Sequence, residues 1–404
     1  MNTDHQNPSG DRPESAGTDR AWESAMSRDF DARVRGLTEA PLSLDEVKGK
    51  AVRIRRNRRI AAAGGALAVA AAVTPIALVA TSNGDADTDP PVATNTAEDT
   101  TATEPDYIVD NTWHQGDGDD VALPDGDYYS AATIWDGQLV VQRPQEQDVS
   151  NSVTEIFDAD GDLVDSFSSN QGVAVGEDGT FFAYISDGVL TTRSEATGGG
   201  GVPIADGFDI NHMPVAATGD AACGAASDAC TVYVNDGDGP ARVYGSDGSD
   251  EAAPEGALKV SDATGSSVSL TIEFHERVPE SCGGVYDVAR GEMAFDQCDY
   301  QAQQISPDGR YVAAVPSYTD GFGATTIYIL DAESGEPAGQ WAGEGASITS
   351  WEWTTDGRLM FVAYDGANWH LKVLPTYDDG RGLDDVLDPV RGSDLDNPYT
   401  LIQH

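Results

Sequence analysis

The side chains in this 404-residue chain that could do chemistry are six histidines, four cysteines and 69 acids. His5, His114, His212, His275, His370 and His404 match neither an H-E-x-x-H pair nor another metal-ligand spacing. His212 and His275 are the two that could line a channel or a loop, although a lone histidine in a β-domain is usually a surface or satisfied core residue. There is no G-x-S-x-G nucleophile elbow and no phosphate-cradling loop. Acids cannot be paired by proximity, because 59 of them follow residue 80. The sequence therefore assigns no catalytic residue, no cofactor-binding residue and no resident cofactor.

Two acidic turns have the oxygen-rich composition that holds Ca²⁺, Asp158-Ala-Asp160-Gly-Asp162 and Asp117-Gly-Asp-Asp120. Asp158, Asp160 and Asp162 are the metal candidates. The run departs from an EF-hand at position six, which is Leu163, and at position twelve, which is Ser169. A solvated acidic turn is the simpler expectation.

Cys223, Cys230, Cys282 and Cys298 allow three disulfide connectivities, of which Cys223–Cys230 with Cys282–Cys298 is the simplest. A loop of about 15 residues closed this way contributes roughly 3 kcal/mol. Zinc is disfavoured, since the spacings fit no common structural site and no histidine is close in sequence.

The charge indicates where these residues sit. Residues 1–59 carry 12 Lys/Arg against 10 Asp/Glu, 60–80 carry none, and 81–404 carry 11 against 59. Such an acidic surface excludes nucleic acid as a partner. Ile60–Ala80 is 21 uncharged residues, enough for one membrane crossing. Arg53, Arg55, Arg56, Arg58 and Arg59 precede it and Asp85, Asp87 and Asp89 follow. Basic residues stay inside, so the expectation is an uncleaved signal anchor in the cell membrane, with 1–59 cytoplasmic and 81–404 extracytoplasmic. Disulfides persist on that outer side.

Trp22, Met26, Phe30, Val34 and Leu37 recur at helical spacing. The stripe predicts a short helix that packs on a second helix starting at the Ser43–Glu46 capping box, lies on the membrane, or docks a cytosolic protein. The rest of the tail is polar and expected to be partly disordered. Residues 81–106, rich in Asp, Thr and Pro, read as an extended linker.

Residues 107–404 change texture. Apolar runs meet Asp-Gly turns at Asp136-Gly137, Asp178-Gly179, Asp308-Gly309 and Asp356-Gly357, with weaker turns at Gly219-Asp220 and Asp262-Ala263. The spacing of 40–50 residues, with about four strands per repeat, predicts an all-β fold, a β-propeller of six or seven blades. The stretch around Trp113–Leu123 could supply a closing strand that joins the first and last blades.

Ile305-Ser-Pro-Asp-Gly-Arg-Tyr-Val-Ala-Ala314 resembles the S-P-D-G-(R/K)-x-(I/L/V)-A hairpin of TolB-type and WD40-like propellers. Thr355–Leu359 and Glu177–Thr180 are looser copies. The overall layout resembles actinobacterial single-pass proteins with an extracytoplasmic propeller. The resemblance implies a fold and is nearly silent on function. The leading expectation is a binding or scaffold module that takes a protein or envelope ligand at the propeller mouth and relays to a cytosolic partner through the tail. A lyase or glycan hydrolase at the axis is the second expectation. Arg193, Arg277 and Arg290 gathered at one mouth would favour it. An anti-sigma-like transmembrane regulator is the third, without the zinc-binding form of that family, because 1–59 contains no cysteine.

Overall fold

Apolar runs of a few residues, stopped by Gly, Asp or Asn, become strands because each can bury its side chains against neighbouring sheets. The computed structural model describes residues 105–404, apart from 117, 125–128, 145–150, 227, 228, 238, 275–279, 319–322, 344, 378–381 and 395. All belong to the unit Arg56–His404. The Trp22–Leu37 stripe, the 60–80 segment, linker residues 81–104, His5, Asp117, His275 and Arg277 lie outside the described residues. No helix among the described residues is long and apolar enough to cross a membrane. The described residues include two short 3-10 turns, Glu195–Thr197 and Pro254–Gly256.

The chain is all-β and folds as a series of antiparallel meanders. The first runs Ala131–Trp135, Gln138–Pro144, Asn151–Phe157 and Leu163–Asn170. The second runs Ala174–Val175, Phe181–Ser186, Val189–Ser194 and Val202–Asp206. The third comprises Met213–Gly219, Cys230–Asn235, Arg242–Gly245 and Asp250–Ala252. The fourth comprises Lys259–Ala263, Ser267–Phe274, Ser281–Asp287 and Glu292–Gln297. The fifth comprises Tyr300–Ile305, Tyr311–Pro316, Thr326–Asp331 and Pro337–Ala342. The sixth comprises Ser347–Trp353, Leu359–Tyr364 and Asn368–Leu374, with Asp384–Asp385 and Val390–Arg391 both pairing the last of these. Successive four-stranded meanders of this kind are the sheet topology of a β-propeller.

The two ends of the described chain meet in one further meander. Tyr399–Gln403 pairs antiparallel with Tyr107–Val109, which pairs with Thr112–His114 and then Val121–Ala122. Tyr399–Gln403 also runs parallel to the first sheet, with Ile402 beside Ala132 and Gln403 beside Thr133. The first strands of successive sheets contact one another in turn, and Tyr399–Gln403 contacts the first strands of both the sixth and the first sheet.

The core lies between sheets. Phe181, Ala183, Ile185 and Leu190 of the second sheet pack on Ala217, Val232 and Val234 of the third. Ile327 and Ile329 of the fifth pack on Leu359 and Phe361 of the sixth. Alternate residues of the C-terminal strand serve two cores. Tyr399 and Leu401 pack with Met360 and Trp369, and Ile402 packs with Leu139 and Phe157.

Four of the expected turns fall between the first and second strands of their sheets. Two differ. Asp262 and Ala263 are inside a strand, and the turn comes later, closed by Thr264 N–H donating to the Ser267 carbonyl at 2.8 Å. The Asp262 carboxyl explains the difference, because it accepts a backbone amide of the next sheet instead of a turn amide. Gly219-Asp220 opens a longer loop that ends at Cys230.

Candidate functional site

In each meander the connection between strands two and three, and the link to the next sheet, fall at the same end. Three such connections enclose a cavity of about 350 Å³. Its walls come from Ser168–Asn170 of the first sheet, Asp187-Gly188 of the second, and Phe208–Ile210 on the way to the third. Cross-bonds hold the three segments together. Ser186 Oγ donates to the Ser168 carbonyl at 2.7 Å, and Phe208 N donates to the Gly188 carbonyl at 3.1 Å. Asn170 Nδ2 donates to the carbonyls of Asp209 and His212, at 2.7 and 3.1 Å. Behind the floor, buried Gln142 donates to Thr154 and Ser169 and accepts from Gly172 N at 2.8 Å. The Asn211 amide and then the His212 ring hold the Asp209 carboxyl below its ordinary range, so it is an anion.

A second polar feature lies on the first strands of sheets four to six. Asp262 Oδ2 accepts from Ile305 N at 2.8 Å, and Glu352 Oε2 accepts from Gln304 Nε2 at 2.6 Å. Trp353 Nε1 donates to the Gln304 carbonyl at 3.0 Å. The fifth sheet is thus tied to both neighbours by a carboxyl. Burial pushes Asp262 up to about 7 and Glu352 to about 8, and each also feels a nearby acid, Glu177 for Asp262 and Asp262 for Glu352. Glu177, in the turn of the second sheet, accepts the Gly265 amide at 2.7 Å and so reaches the turn of the fourth. Buried Gln303 Nε2 and Gln304 Oε1 have no hydrogen-bond partner in the protein.

A smaller cavity of about 260 Å³ lies where the terminal meander meets the sixth sheet, beside Asp106, Gln115, Trp353, Thr354 and His404. His404 Nε2 lies 3.1 Å from Asp106 there.

The structure disperses most of the residues singled out from the sequence. Each described histidine lies against its own acid, His114 on Asp120, His212 on Asp209, His370 on Asp365 and His404 on Asp106. Arg193 pairs with Asp165 across two sheets and stacks on Phe167, whereas Arg290 pairs with Asp287 and Glu333. Asp158 Oδ1 accepts the amides of Asp160 and Asp162, at 3.1 and 2.9 Å, and so folds its own turn. Among the described residues no group of three or more His, Cys, Asp or Glu is placed to hold a metal ion. Disulfides join Cys223 to Cys230 and Cys282 to Cys298. Gln142, Asp187, Asp209 and Glu352 are polar residues that sequence reading passed over, and Asp262 is one that it reads only as part of a turn. A visible signal existed for two of them, a glutamine ending the apolar run Leu139–Val141 and a glutamate between Trp351 and Trp353.

No family model matches the chain, and no curated protein matches it. Among solved structures it is similar to a TolB-type structure from Agrobacterium tumefaciens, at 15% identity and a TM-score of 0.36, over 62% of this chain and 96% of that one. It is also similar to the β-propeller domain of Cps50 (Swd1) from Myceliophteria thermophila, at 8% identity and a TM-score of 0.43, over 65% and 86%. The sheet order carries the fold without them.

Proposed function

We propose that this chain is a membrane-anchored binding module, a seven-bladed propeller held outside the cell membrane by residues 60–80. It takes a protein or envelope ligand at the connection ends of its sheets and relays to a cytosolic partner through the Trp22–Leu37 stripe. The observation that carries the binding reading is the 350 Å³ cavity at those ends, a size typical of ligand sites. Exposed Ile210 and Tyr318 lie at connection ends as well, 53% and 47% accessible. The blade count rests on six consecutive meanders plus the one shared by the two ends of the described chain. The anchor rests on the uncharged run between an arginine cluster and an acidic domain.

Two measurements test this reading. A photo-crosslinking residue at Ile210 or Tyr318 should give a discrete adduct in native cells, and one at Val288, exposed at the opposite end of the fourth sheet, should not. Equal labelling from all three positions, or from none, rejects the binding face. Protease added to intact cells stripped of their wall should remove 107–404 and spare an N-terminal tag. Release of the whole chain by alkaline carbonate rejects the anchor.

A further inference from the structure

At the end of the sheets opposite the connections, two turns meet across a third sheet. Glu177, in the turn between the first two strands of the second sheet, accepts the amide of Gly265, in the matching turn of the fourth, at 2.7 Å. The third sheet lies between them, and its first strand contacts both. Its own loop is drawn back against the second sheet. Cys223 is bonded to Cys230 there, and the Cys223 carbonyl accepts Ser194 Oγ at 3.1 Å. Each of the two meeting turns is closed by its own bond, so the turns can part without unfolding. Gly179 N donates to the Gly176 carbonyl and Thr264 N to the Ser267 carbonyl, each at 2.8 Å. Glu177 and Gly265 are exposed, so a surface hydrogen bond makes the link. Asp262 stands three residues before Gly265. Burial raises its carboxyl to about 7, the amides of Ile305 and Ala263 oppose the rise, and Glu177 adds to it. Glu352 of the sixth sheet, at about 8, is raised by Asp262 in turn. The charged groups on the surrounding turns are engaged locally. Asp178 accepts the Thr180 amide and hydroxyl, Asp220 accepts Ala222 N, and Asp308 accepts Ser306 Oγ and Arg310 N. Arg310 lies over the Tyr311 ring.

We propose that Glu177 and the Gly265 amide form a latch between the second and fourth sheets, closed while Asp262 is protonated and opened when Asp262 ionises. With Asp262 neutral, it sets no charge against the Glu177 carboxylate. Ionised Asp262 puts a like charge close to Glu177, and such a pair repels by about as much as one surface hydrogen bond holds. Ionisation of Glu352 then adds to the same cluster. The latch is therefore shut in mild acid and open above neutral pH. Opening needs only a rotation of the Glu177 side chain, because Asp262 keeps the Ile305 and Ala263 amides as donors in either state. The device lies at the other end of the sheets from the cavity and from Tyr318, so it stands independently of the binding reading.

Hydrogen exchange of the Gly265 amide in the full chain, corrected for the intrinsic pH dependence of exchange, reads the latch. Its protection should fall by roughly fivefold or more between pH 5.5 and 8.5, the scale of one hydrogen bond. The Gly309 amide, which donates to the Ser306 carbonyl at 2.8 Å inside the turn of the fifth sheet, is the reference for general loosening. Asp262→Asn should hold the Gly265 protection within about twofold over that range. Glu177→Gln keeps an acceptor for Gly265 and leaves Asp262 free to titrate, so it should also hold the protection constant relative to Gly309. Glu177 is exposed, so this variant decides the matter even if Asp262→Asn does not fold. Glu177→Ala should leave Gly265 unprotected at both pH values. A fall at Gly265 that Gly309 matches would be general softening and would overturn the proposal. So would no fall in the parent, or a fall in Glu177→Gln equal to that of the parent.

Discussion

Ser306 organises its turn with one hydroxyl. Its Oγ donates to Asp308 Oδ1 at 2.7 Å and accepts Tyr311 N at 2.9 Å, and Gly309 takes the φ of 70° that the turn demands. Thr354 does the same in the sixth sheet, donating to Asp356 and accepting Arg358 N. In the second sheet the position is Gly176, where a Cβ would stand 2.2 Å from the Phe181 ring. Ser306 is fully buried, so Ser306→Ala should cost about 1–2 kcal/mol by urea unfolding, because the Tyr311 amide loses its acceptor. Ser306→Thr should cost little, since the sixth sheet uses threonine, and an alanine variant as stable as the parent would refute the role. Asp262 and Glu352 make a different contribution. Their carboxyls sit at about 7 and 8 in the folded protein, above their ordinary 3.8 and 4.5. The folded state therefore holds protons that the unfolded state releases. The stability this confers is complete below about pH 4 and is lost as pH rises through 7 to 8, on the order of a few kcal/mol in all. Glu352, 8% exposed, should carry more of it than half-buried Asp262. Unfolding midpoints in high salt, which screens the surface acids, should fall from pH 5.5 to 8.5 in the parent. Asp262→Asn with Glu352→Gln should flatten that decline, and an unchanged slope would rule these two groups out.

At the scale of the strand, four consecutive first strands carry a register shift. It falls between Pro214 and Ala216, Val260 and Asp262, Ala302 and Ile305, and Ile348 and Ser350. A bulge re-aims side chains. That is how Gln303 and Gln304 come to follow one another with both side chains partly unsatisfied, and it is why they were unreadable beforehand. Hydrophobic alternation reports which face a residue takes only while the register holds. The Asp-Gly hairpins were legible because their chemistry is local. The cavity was not legible, since Asn170, Asp187 and Asp209 come from two sheets and the segment that leads to a third, and no local pattern joins them. The cysteine pairs were left open by sequence alone. In the fourth sheet, Gly283 faces Gln297, which brings the adjacent Cys282 and Cys298 together across its outer two strands. The hairpin already restrains this loop, so replacing both cysteines with alanine should cost less than the roughly 3 kcal/mol of the chain-entropy figure. Its clearest readout should be hydrogen exchange. Amides of the edge strand Glu292–Gln297 should exchange at least tenfold faster, while those of Ser267–Phe274 stay protected. Equal acceleration in both strands would mean that the bridge supports the whole sheet.

At the scale of the molecule, the first and last sheets would present open strand edges if nothing joined them. Tyr399–Gln403 supplies the joint, pairing with Tyr107–Val109 on one side and meeting the first sheet on the other. Side-chain bonds reinforce it, with Thr133 Oγ1 donating to the Gln403 carbonyl at 2.9 Å and Thr400 Oγ1 to the Tyr129 carbonyl at 3.0 Å. Ile402 is fully buried among Ile108, Leu139 and Phe157, so one side chain touches the N-terminal strands, the C-terminal strand and the first sheet. Ile327, equally buried, packs within the fifth and sixth sheets. Both truncations to alanine should cost about 2–5 kcal/mol, since each leaves a cavity of similar size. Their consequences should differ in reach. Ile402→Ala should raise hydrogen exchange in Tyr107–Val109 and in Ala131–Trp135 together, although about 20 residues of sequence separate them, because the joint loosens as a unit. Ile327→Ala should leave both segments protected and loosen only its own pair of sheets. If the two variants gave the same exchange map, the terminal meander would be a passive addition to a ring held shut by the other sheets.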